Sequence, residues 1–245
     1  MRVFDAHFHI IDPKHPAPGD RGYVPEPFTV EDYLGWFKNV ELVGGLVVAG
    51  SFQGYDWRPV VDAVSQLGEG FYGVINPPEE LSRTLVEELH GLGVRGVRFN
   101  LRRMGMELVN FLEDVALKVW DWCRWHVDVY VENRHLPRIK FLLRSLPAVV
   151  IDHLGLTLEG FDALLELVEA GVRVKVSGFG RLDFDPVWAV RRIREVSSKA
   201  LLFATDLPST RAPRPFSWDD VEMLGELADE ALLFRNALEF LGGDS

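Results

Sequence analysis

Short hydrophobic runs, rich in β-branched residues, alternate along the chain with longer stretches whose apolar residues recur every three or four positions. The short runs are bounded by Gly, Pro, Asn or Asp, which is how strands usually end. The longer stretches have the spacing of amphipathic helices. The pattern predicts strands at 3–8, 45–49, 71–75, 94–99, 127–131, 148–152, 172–177 and 200–205.

The stretches between these runs predict about eight helices. They cover 29–39, 60–67, a helix that starts at 77–80, 108–122, 137–144, 161–169, 186–196 and 218–240. Thr29 followed by Asp32 is a capping box at the start of the first helix. Pro77 and Pro78, followed by two glutamates, are typical of the first turn of a helix.

The alternation of strands and helices indicates the fold class. Strands that alternate with helices form a parallel sheet, and eight such units joined by right-handed crossovers close into a barrel. We therefore predict an α/β fold, a (β/α)8 TIM barrel, with residues 1–245 as a single domain of the usual size. A doubly wound open sheet is the alternative, but the G-x-G-x-x-G fingerprint is missing after the first strand.

Composition narrows the partners and the compartment. The chain has 26 Lys and Arg against 37 Asp and Glu, a net charge of −11, which argues against binding to nucleic acid. No segment is apolar over the about 20 residues that a bilayer requires, and Asp5 precedes any signal-peptide core. The single cysteine, Cys123, can form neither an intramolecular disulfide nor a cysteine-rich zinc site. We expect a cytoplasmic protein without a nucleic-acid or membrane partner, either monomeric or homo-oligomeric.

Histidine and aspartate follow three of the predicted strands, at the carboxyl ends where TIM-barrel active sites lie. His7 and His9 alternate along the first strand and therefore share one face. This pair could bind a divalent metal ion or could be hydrogen-bonded without one. His153 follows the sixth strand. Asp206 follows the eighth, where it could cap a turn, bind a metal or act as a general base.

Other strand ends carry cationic and polar side chains. Arg98 and Asn100 share a face at the end of the fourth strand, and Arg98 could bind a substrate carboxylate or pair with a carboxylate of the barrel. Tyr130 and Glu132 are predicted to point inward from the fifth strand, near the mouth. Arg181 follows the seventh strand and could reach over the mouth or remain on the surface.

Two loops contribute weaker candidates. Arg102 and Arg103 could extend an anion site, although each of them alone is more simply a solvated loop charge. Gly178 and Gly180 have no side chains, so they could let the backbone approach a ligand closely.

The order of these motifs resembles a known family. Asp5-x-His7-x-His9 on the first strand, with His153 and Asp206 after the sixth and eighth, resembles the amidohydrolase superfamily. Segments similar to its amidohydrolase-related branch follow in the right order over nearly the whole chain: GVRFN at 96–100, VIDHLG at 150–155, KVSG at 175–178, TDLP at 205–208 and RNALEFLG at 235–242. That branch includes metal-dependent hydrolases, nonoxidative decarboxylases and pyrone dicarboxylate lactonases that can work without metal.

The resemblance also implies roles for individual residues. Metal-binding members of the branch usually carry a histidine at the end of strand five, where this chain has Tyr130. Tyr130, Arg98 and Arg181 together resemble the lactonase pattern, in which arginines grip substrate carboxylates. By this resemblance Arg98, Arg181 and Asn100 belong to substrate binding, and Tyr130 and His153 join the catalytic group.

The expected reaction is hydrolysis of a small anionic lactone or a related carbonyl compound. Asp206 would take a proton from water and return it to the leaving oxygen, while the imidazoles polarise the carbonyl group. A divalent ion, zinc or manganese, would be held by His7, His9 and Asp206. A metal-dependent nonoxidative decarboxylase is the alternative enzyme, a nuclease is disfavoured by the net charge, and a barrel that only binds a ligand is the non-enzymatic alternative.

Overall fold

The computed structural model describes residues 1–242 and shows eight parallel strands in a nearly closed barrel, with helices between them. Each strand pairs with the next along the chain, in the order β1 to β8. The strands are β1 Arg2–Phe8, β2 Glu41–Val48, β3 Phe71–Ile75, β4 Val94–Phe99, β5 His126–Val129, β6 Val149–Ile151, β7 Arg173–Val176 and β8 Leu201–Phe203. The predicted (β/α)8 fold is confirmed, and the sequential strand order excludes the doubly wound alternative.

Helices follow most of the strands and cover the outside of the barrel. They are α1 Val30–Leu34, α2 Arg58–Leu67, α3 Arg83–Gly91, α4 Leu101–Met104, α5 Val109–Cys123, α6 Leu136–Leu143, α7 Phe161–Glu169, α8 Pro186–Val196, α9 Trp218–Leu224 and α10 Asn236–Phe240. The predicted capping box of Thr29 and Asp32 is confirmed at the start of α1. Within residues 1–242, none of these helices is long and apolar enough to cross a membrane.

Two helix predictions are wrong, each for a local reason. Pro77 and Pro78 lie in the loop after β3, and α3 begins only at 83, where the side chain of Ser82 accepts a hydrogen bond from Leu85 N at 3.2 Å. The predicted helix at 218–240 is broken, because Gly225 ends α9 with a left-handed φ of 54°. The chain then resumes as a π-helix at Ala231–Arg235 that continues into α10.

The two faces of β1 show how the fold separates core from site. Phe4, Ala6 and Phe8 are fully buried among apolar residues, and the ring of Phe8 stacks on Tyr33 at 3.7 Å between centroids. His7 and His9 occupy the opposite parity and are buried polar residues. Because strand side chains alternate, packing one face against the helices presents the imidazoles to the barrel interior.

The seam between β8 and β1 is closed by a buried side chain. Asp5 accepts hydrogen bonds from Thr205 N at 2.9 Å, Thr205 Oγ1 at 2.6 Å and Tyr33 Oη at 3.3 Å. Just above it, Asp206 N donates to the carbonyl of His7 at 2.8 Å. The seam therefore brings the first and last strands together directly beneath His7 and Asp206.

Candidate active site

Three imidazoles surround one carboxylate oxygen at the carboxyl end of the barrel. The Nε2 atoms of His7, His9 and His153 each lie 3.7 Å from Asp206 Oδ1, and all four side chains are buried. This distance is longer than a hydrogen bond. The structure thus brings together the three histidines and the aspartate that the sequence places at separate strand ends.

Tight turns hold two of these residues. β6 ends at Ile151, and His153 begins a 3₁₀ turn with a left-handed φ of 53°, while Asp206 has a φ of 61°. Left-handed backbone is uncommon for residues with a side chain and is concentrated at functional sites. Both side chains are therefore turned out of regular strand geometry toward the common centre.

The glycines after β7 have a different role from the one that the sequence predicts. A Cβ atom at Gly178 would lie 2.9 Å from the Cβ of His153, and one at Gly180 would lie 2.8 Å from Cγ of Arg214. Both glycines let the backbone approach other protein groups rather than a ligand. The absence of a side chain at 178 allows the β7 loop to pack against the His153 imidazole.

The second ring nitrogen of each histidine has a fixed partner. His9 Nδ1 donates to the carbonyl of Val48 at 2.7 Å, and His153 Nδ1 lies 2.8 Å from Ser177 Oγ. Burial lowers the pKa of His153 to about 4, against the opposing charge of Asp206. These contacts orient the rings so that their Nε2 atoms face the pocket.

Arg181 binds the other oxygen of Asp206. Its guanidinium donates to Asp206 Oδ2 and, at 2.6 Å, to the carbonyl of Thr210. Burial raises the pKa of Asp206, but Arg181 and then His153 outweigh burial and hold that pKa well below its usual range. The carboxylate is therefore ionised at neutral pH, as a general base requires.

A layer of buried charges lies beneath the imidazoles. Lys175 Nζ on β7 pairs with Asp128 Oδ2 and lies 3.2 Å from Asp152 Oδ1. Arg98 Nε donates to Asp152 Oδ2 at 2.9 Å. Burial raises the pKa of Asp152, but Lys175, then His7 and Arg98, hold it well below its usual range. Burial lowers the pKa of His7 well below its ordinary value, so this imidazole is neutral at neutral pH.

Above the histidines opens a small pocket with a cationic wall. Four arginines contribute to it: Arg98, Arg103, Arg181 and Arg211. Three of them are paired with carboxylates of the protein. Within residues 1–242, Arg103 is the one pocket arginine whose guanidinium has no such partner.

The sequence leaves two roles open for Arg103, a contribution to an anion site or, for this residue alone, a solvated loop charge. In the structure Asn100 Oδ1 accepts a hydrogen bond from Arg103 N at 3.0 Å and caps the short helix α4. This turn places Arg103 on the pocket wall together with Asn100. An asparagine directly after a strand is a known N-cap signal and is the feature that could have indicated the turn.

The comparisons with known proteins agree with this geometry. The sequence model of a family described as amidohydrolase matches residues 4–243. The chain belongs to the amidohydrolase family. The match spans all four residues of the histidine and aspartate group, which lie at the end of β1, after β6 and after β8.

Individual relatives of this amidohydrolase are named as lactone hydrolases. It is 33% identical over 165 residues to a 2-pyrone-4,6-dicarboxylate hydrolase of Comamonas testosteroni, a match that covers 62% of this chain and only 51% of that protein. It is 26% identical over 227 residues to a 4-sulfomuconolactone hydrolase of Rhizobium radiobacter, which covers 84% of this chain and 75% of the relative.

Solved structures show the same barrel. A crystal structure from Pseudomonas putida, described as a candidate 2-pyrone-4,6-dicarboxylic acid hydrolase, superposes with a TM-score of 0.83 at 25% identity and covers 98% of this chain and 97% of its own. An Acinetobacter baumannii structure of similar description, with citric acid bound, gives a TM-score of 0.85 at 21% identity over 99% of this chain and all of its own. The second likeness concerns the fold alone.

The amidohydrolase pocket contains one of the two inward residues predicted on β5. Tyr130 is buried on the pocket wall, with its ring edge-on to His153 at 5.0 Å between centroids and the Arg98 guanidinium 5.1 Å from its centre. The prediction for Glu132 is wrong, because its carboxylate binds Arg102 Nε at 2.9 Å and Arg134 outside this pocket. The strand ends at Val129, so the alternation no longer applies at 132.

The spacing of the predicted metal ligands suits an ion, but their hydrogen bonds do not. One ligand atom from each of His7, His9 and Asp206 lies within 4.8 Å of the others. His9 fits, because its Nδ1 proton goes to a carbonyl and its neutral ring then has a lone pair on Nε2. His7 does not fit, because its Nδ1 faces the ammonium of Lys175 at 3.1 Å, which leaves the ring proton on Nε2.

Proposed function

We propose that this amidohydrolase hydrolyses a small lactone that carries an anionic group. The observation that carries the proposal is the group of three imidazoles around Asp206 Oδ1 at the base of an arginine-walled pocket. The named activities of the two curated relatives, both hydrolases of anionic lactones, support the same substrate class.

Asp206 is the proposed general base. Its ionised carboxylate takes a proton from water while the water oxygen attacks the lactone carbonyl carbon. The carbonyl electron pair moves to oxygen, and imidazole N–H donors stabilise the oxyanion. When the tetrahedral intermediate collapses, the ring C–O bond breaks and Asp206 returns the proton to the leaving oxygen. The product is the ring-opened acid.

The pocket arginines would orient the anionic group of the substrate. Arg98 and Arg181 line the pocket, but their guanidinium groups also bind Asp152 and Asp206. Arg103 is the guanidinium that can accept a carboxylate or sulfonate without first breaking an internal ion pair. We therefore assign the main anion contact to Arg103, with Arg98, Arg181 and Asn100 in supporting positions.

The direct test replaces the proposed base. Asp206→Asn keeps the shape of the side chain but removes its basicity, so kcat for lactone hydrolysis should fall at least about 100-fold. Ring opening of 2-pyrone-4,6-dicarboxylate and of 4-sulfomuconolactone would be followed by absorbance, with Asp62→Asn on the surface as the control. Activity of Asp206→Asn within a few-fold of the wild type would end the assignment.

Product analysis separates this proposal from the decarboxylase alternative. Lactone hydrolysis adds one water to the substrate and releases no gas, whereas a decarboxylase releases carbon dioxide. No feature of the site favours the decarboxylase, which would depend on a bound metal. Zinc or manganese at His7, His9 and Asp206 would act as a Lewis acid, but it would require the lone pair of His7 Nε2 that the Lys175 contact removes.

A further inference from the structure

Lys175 lies outside the substrate pocket and yet contacts the catalytic group. It is fully buried on β7 and is not part of the pocket wall. Its ammonium pairs with Asp128 Oδ2, lies 3.2 Å from Asp152 Oδ1 and donates to His7 Nδ1 at 3.1 Å. An ammonium has three N–H donors and no acceptor, and here it donates to Asp128 Oδ2 and His7 Nδ1 and forms an ion pair with Asp152.

We propose that Lys175 is a positioning residue that holds His7 in the tautomer with its proton on Nε2, so that His7 presents a hydrogen-bond donor to the reacting atoms. The inference rests on the proposed lactone hydrolysis for its catalytic consequence. The position of the His7 ring proton does not itself depend on any activity.

His7 Nδ1 is the ring nitrogen that faces Lys175. Only a lone pair on His7 Nδ1 can accept a hydrogen bond from an ammonium group. The competing arrangement, with a proton on Nδ1 directed to Asp152 Oδ1 at 3.3 Å, would point an N–H at the Lys175 donor 3.1 Å away. In the structure Asp152 Oδ1 accepts no hydrogen bond of acceptable geometry.

The opposite ring nitrogen, His7 Nε2, is on the side of the general base. His7 Nε2 is buried, has no hydrogen-bond partner among the described residues and lies 3.7 Å from Asp206 Oδ1. A neutral imidazole with an acceptor at Nδ1 carries its one proton at Nε2. An N–H without a partner beside the general base can donate a hydrogen bond to the negative charge that develops during the reaction.

The contrast with His9 shows that the choice is local. His7 lies on β1 and His9 directly follows its last residue, and both rings turn Nε2 toward Asp206 Oδ1 at 3.7 Å. His9 Nδ1 faces the carbonyl of Val48, an acceptor, and therefore carries a proton. His7 Nδ1 faces a donor and therefore carries none. Neighbouring groups thus give the two imidazoles opposite functions on one face.

The proton position is measured in the wild-type protein. Long-range proton–nitrogen NMR of protein labelled at its histidine nitrogens distinguishes protonated from unprotonated ring nitrogens, and the His7→Gln spectrum identifies the His7 signals. We expect His7 to show a protonated Nε2 and an unprotonated Nδ1. A proton on Nδ1 of His7 in the wild type would overturn the inference, whatever the protein hydrolyses.

The variant Lys175→Met keeps an unbranched side chain as far as the ε position and removes the donor. Its His7 proton should move to Nδ1, toward Asp152, and kcat should fall about 100-fold while KM stays within about threefold. Lys199→Met, which removes an exposed lysine that pairs with Glu239, should change neither. A Lys175→Met protein with the wild-type tautomer and wild-type kcat would overturn the inference.

Removal of the ammonium leaves the buried Asp128 without its cation and Asp152 with Arg98 alone, which can prevent folding. The double variant Lys175→Met with Asp128→Asn removes one of those negative charges and provides the second sample, with the same expected shift in tautomer. If the wild-type spectrum shows the Nε2 proton but no lactone is hydrolysed, the proposed function fails and the assignment of the tautomer stands.

Discussion

Arg103 shows how the surroundings of a residue decide between the two roles that the sequence leaves open. It is half-buried in the pocket wall, and burial lowers its pKa, as do the neighbouring arginines, although a guanidinium still remains charged. Because its guanidinium has no carboxylate partner within residues 1–242, the charge is available to a ligand. A substrate anion bound there would satisfy a cation that the protein itself leaves unpaired.

Arg103→Met should therefore weaken substrate binding more than it slows the chemical step. We expect KM for anionic lactones to rise at least about tenfold with a smaller change in kcat, since a charged hydrogen bond contributes about 1.5 kcal/mol or more. Arg138→Met, an exposed arginine on α6, is the matched control. An unchanged KM on every anionic lactone of a panel would remove Arg103 from the anion site.

The pairing of Arg181 with Asp206 predicts a pH effect. Burial alone raises the pKa of Asp206, and Arg181 is the strongest of the groups that lower it. In Arg181→Met the pKa of Asp206 should rise. Its basic form is then lost at a higher pH, so the acid limb of the plot of kcat against pH moves to higher pH. Arg211→Met removes a pocket arginine that pairs with Asp20 instead and should leave that limb in place. Superimposable acid limbs for Arg181→Met and wild type would contradict this.

At the scale of elements, the seam between β8 and β1 is where architecture and site meet. A barrel requires its last strand to join its first, and Asp5 makes that connection through two hydrogen bonds from Thr205 and one from Tyr33. The residue is part of the Asp5-x-His7-x-His9 motif, but its side chain points away from the pocket and into the seam. The motif therefore combines one structural residue with two site residues.

Asp5→Ala should destabilise the barrel strongly. It leaves the buried N–H of Thr205 and two hydroxyl groups without their acceptor, which we expect to cost about 3 kcal/mol or more in the free energy of unfolding. Thr29→Ala, which removes only the cap of α1, should cost about 1 kcal/mol. Urea unfolding of the two variants and the wild type measures both, and equal losses would show that Asp5 is not a special support of the seam.

At the scale of the whole molecule, a chain of net charge −11 concentrates arginines at one pocket. The acidic surface repels anions in general, while the paired and unpaired cations at the mouth attract them locally. The same pocket lies above the imidazole of His7, whose Nδ1 faces the Lys175 ammonium at 3.1 Å. The fold therefore brings a cationic pocket wall and a group of buried imidazoles to one end of an acidic chain.

Metal removal tests this organisation. Protein purified and dialysed against a chelator should retain its lactone hydrolysis within about twofold, and elemental analysis should find no zinc or manganese in proportion to protein, because catalysis is assigned to Asp206 and hydrogen-bond donors. Added zinc or manganese serves as the reciprocal control. Loss of activity on chelation, restored by one of these ions, would contradict the metal-free mechanism.

The sequence by itself determined the fold class and predicted that His7, His9, His153 and Asp206 meet at one end of the barrel. The alternation along β1 places His7 and His9 on one face, because local periodicity fixes which side chains turn inward. His153 and Asp206 directly follow later strands, and in a TIM barrel the ends of those strands meet at the same face. Only the tertiary structure decided the partners: Arg181 on Asp206, Lys175 on His7, and Arg103 without a carboxylate. These contacts join residues from different strands, and their distances depend on strand register and barrel closure, which no local pattern specifies.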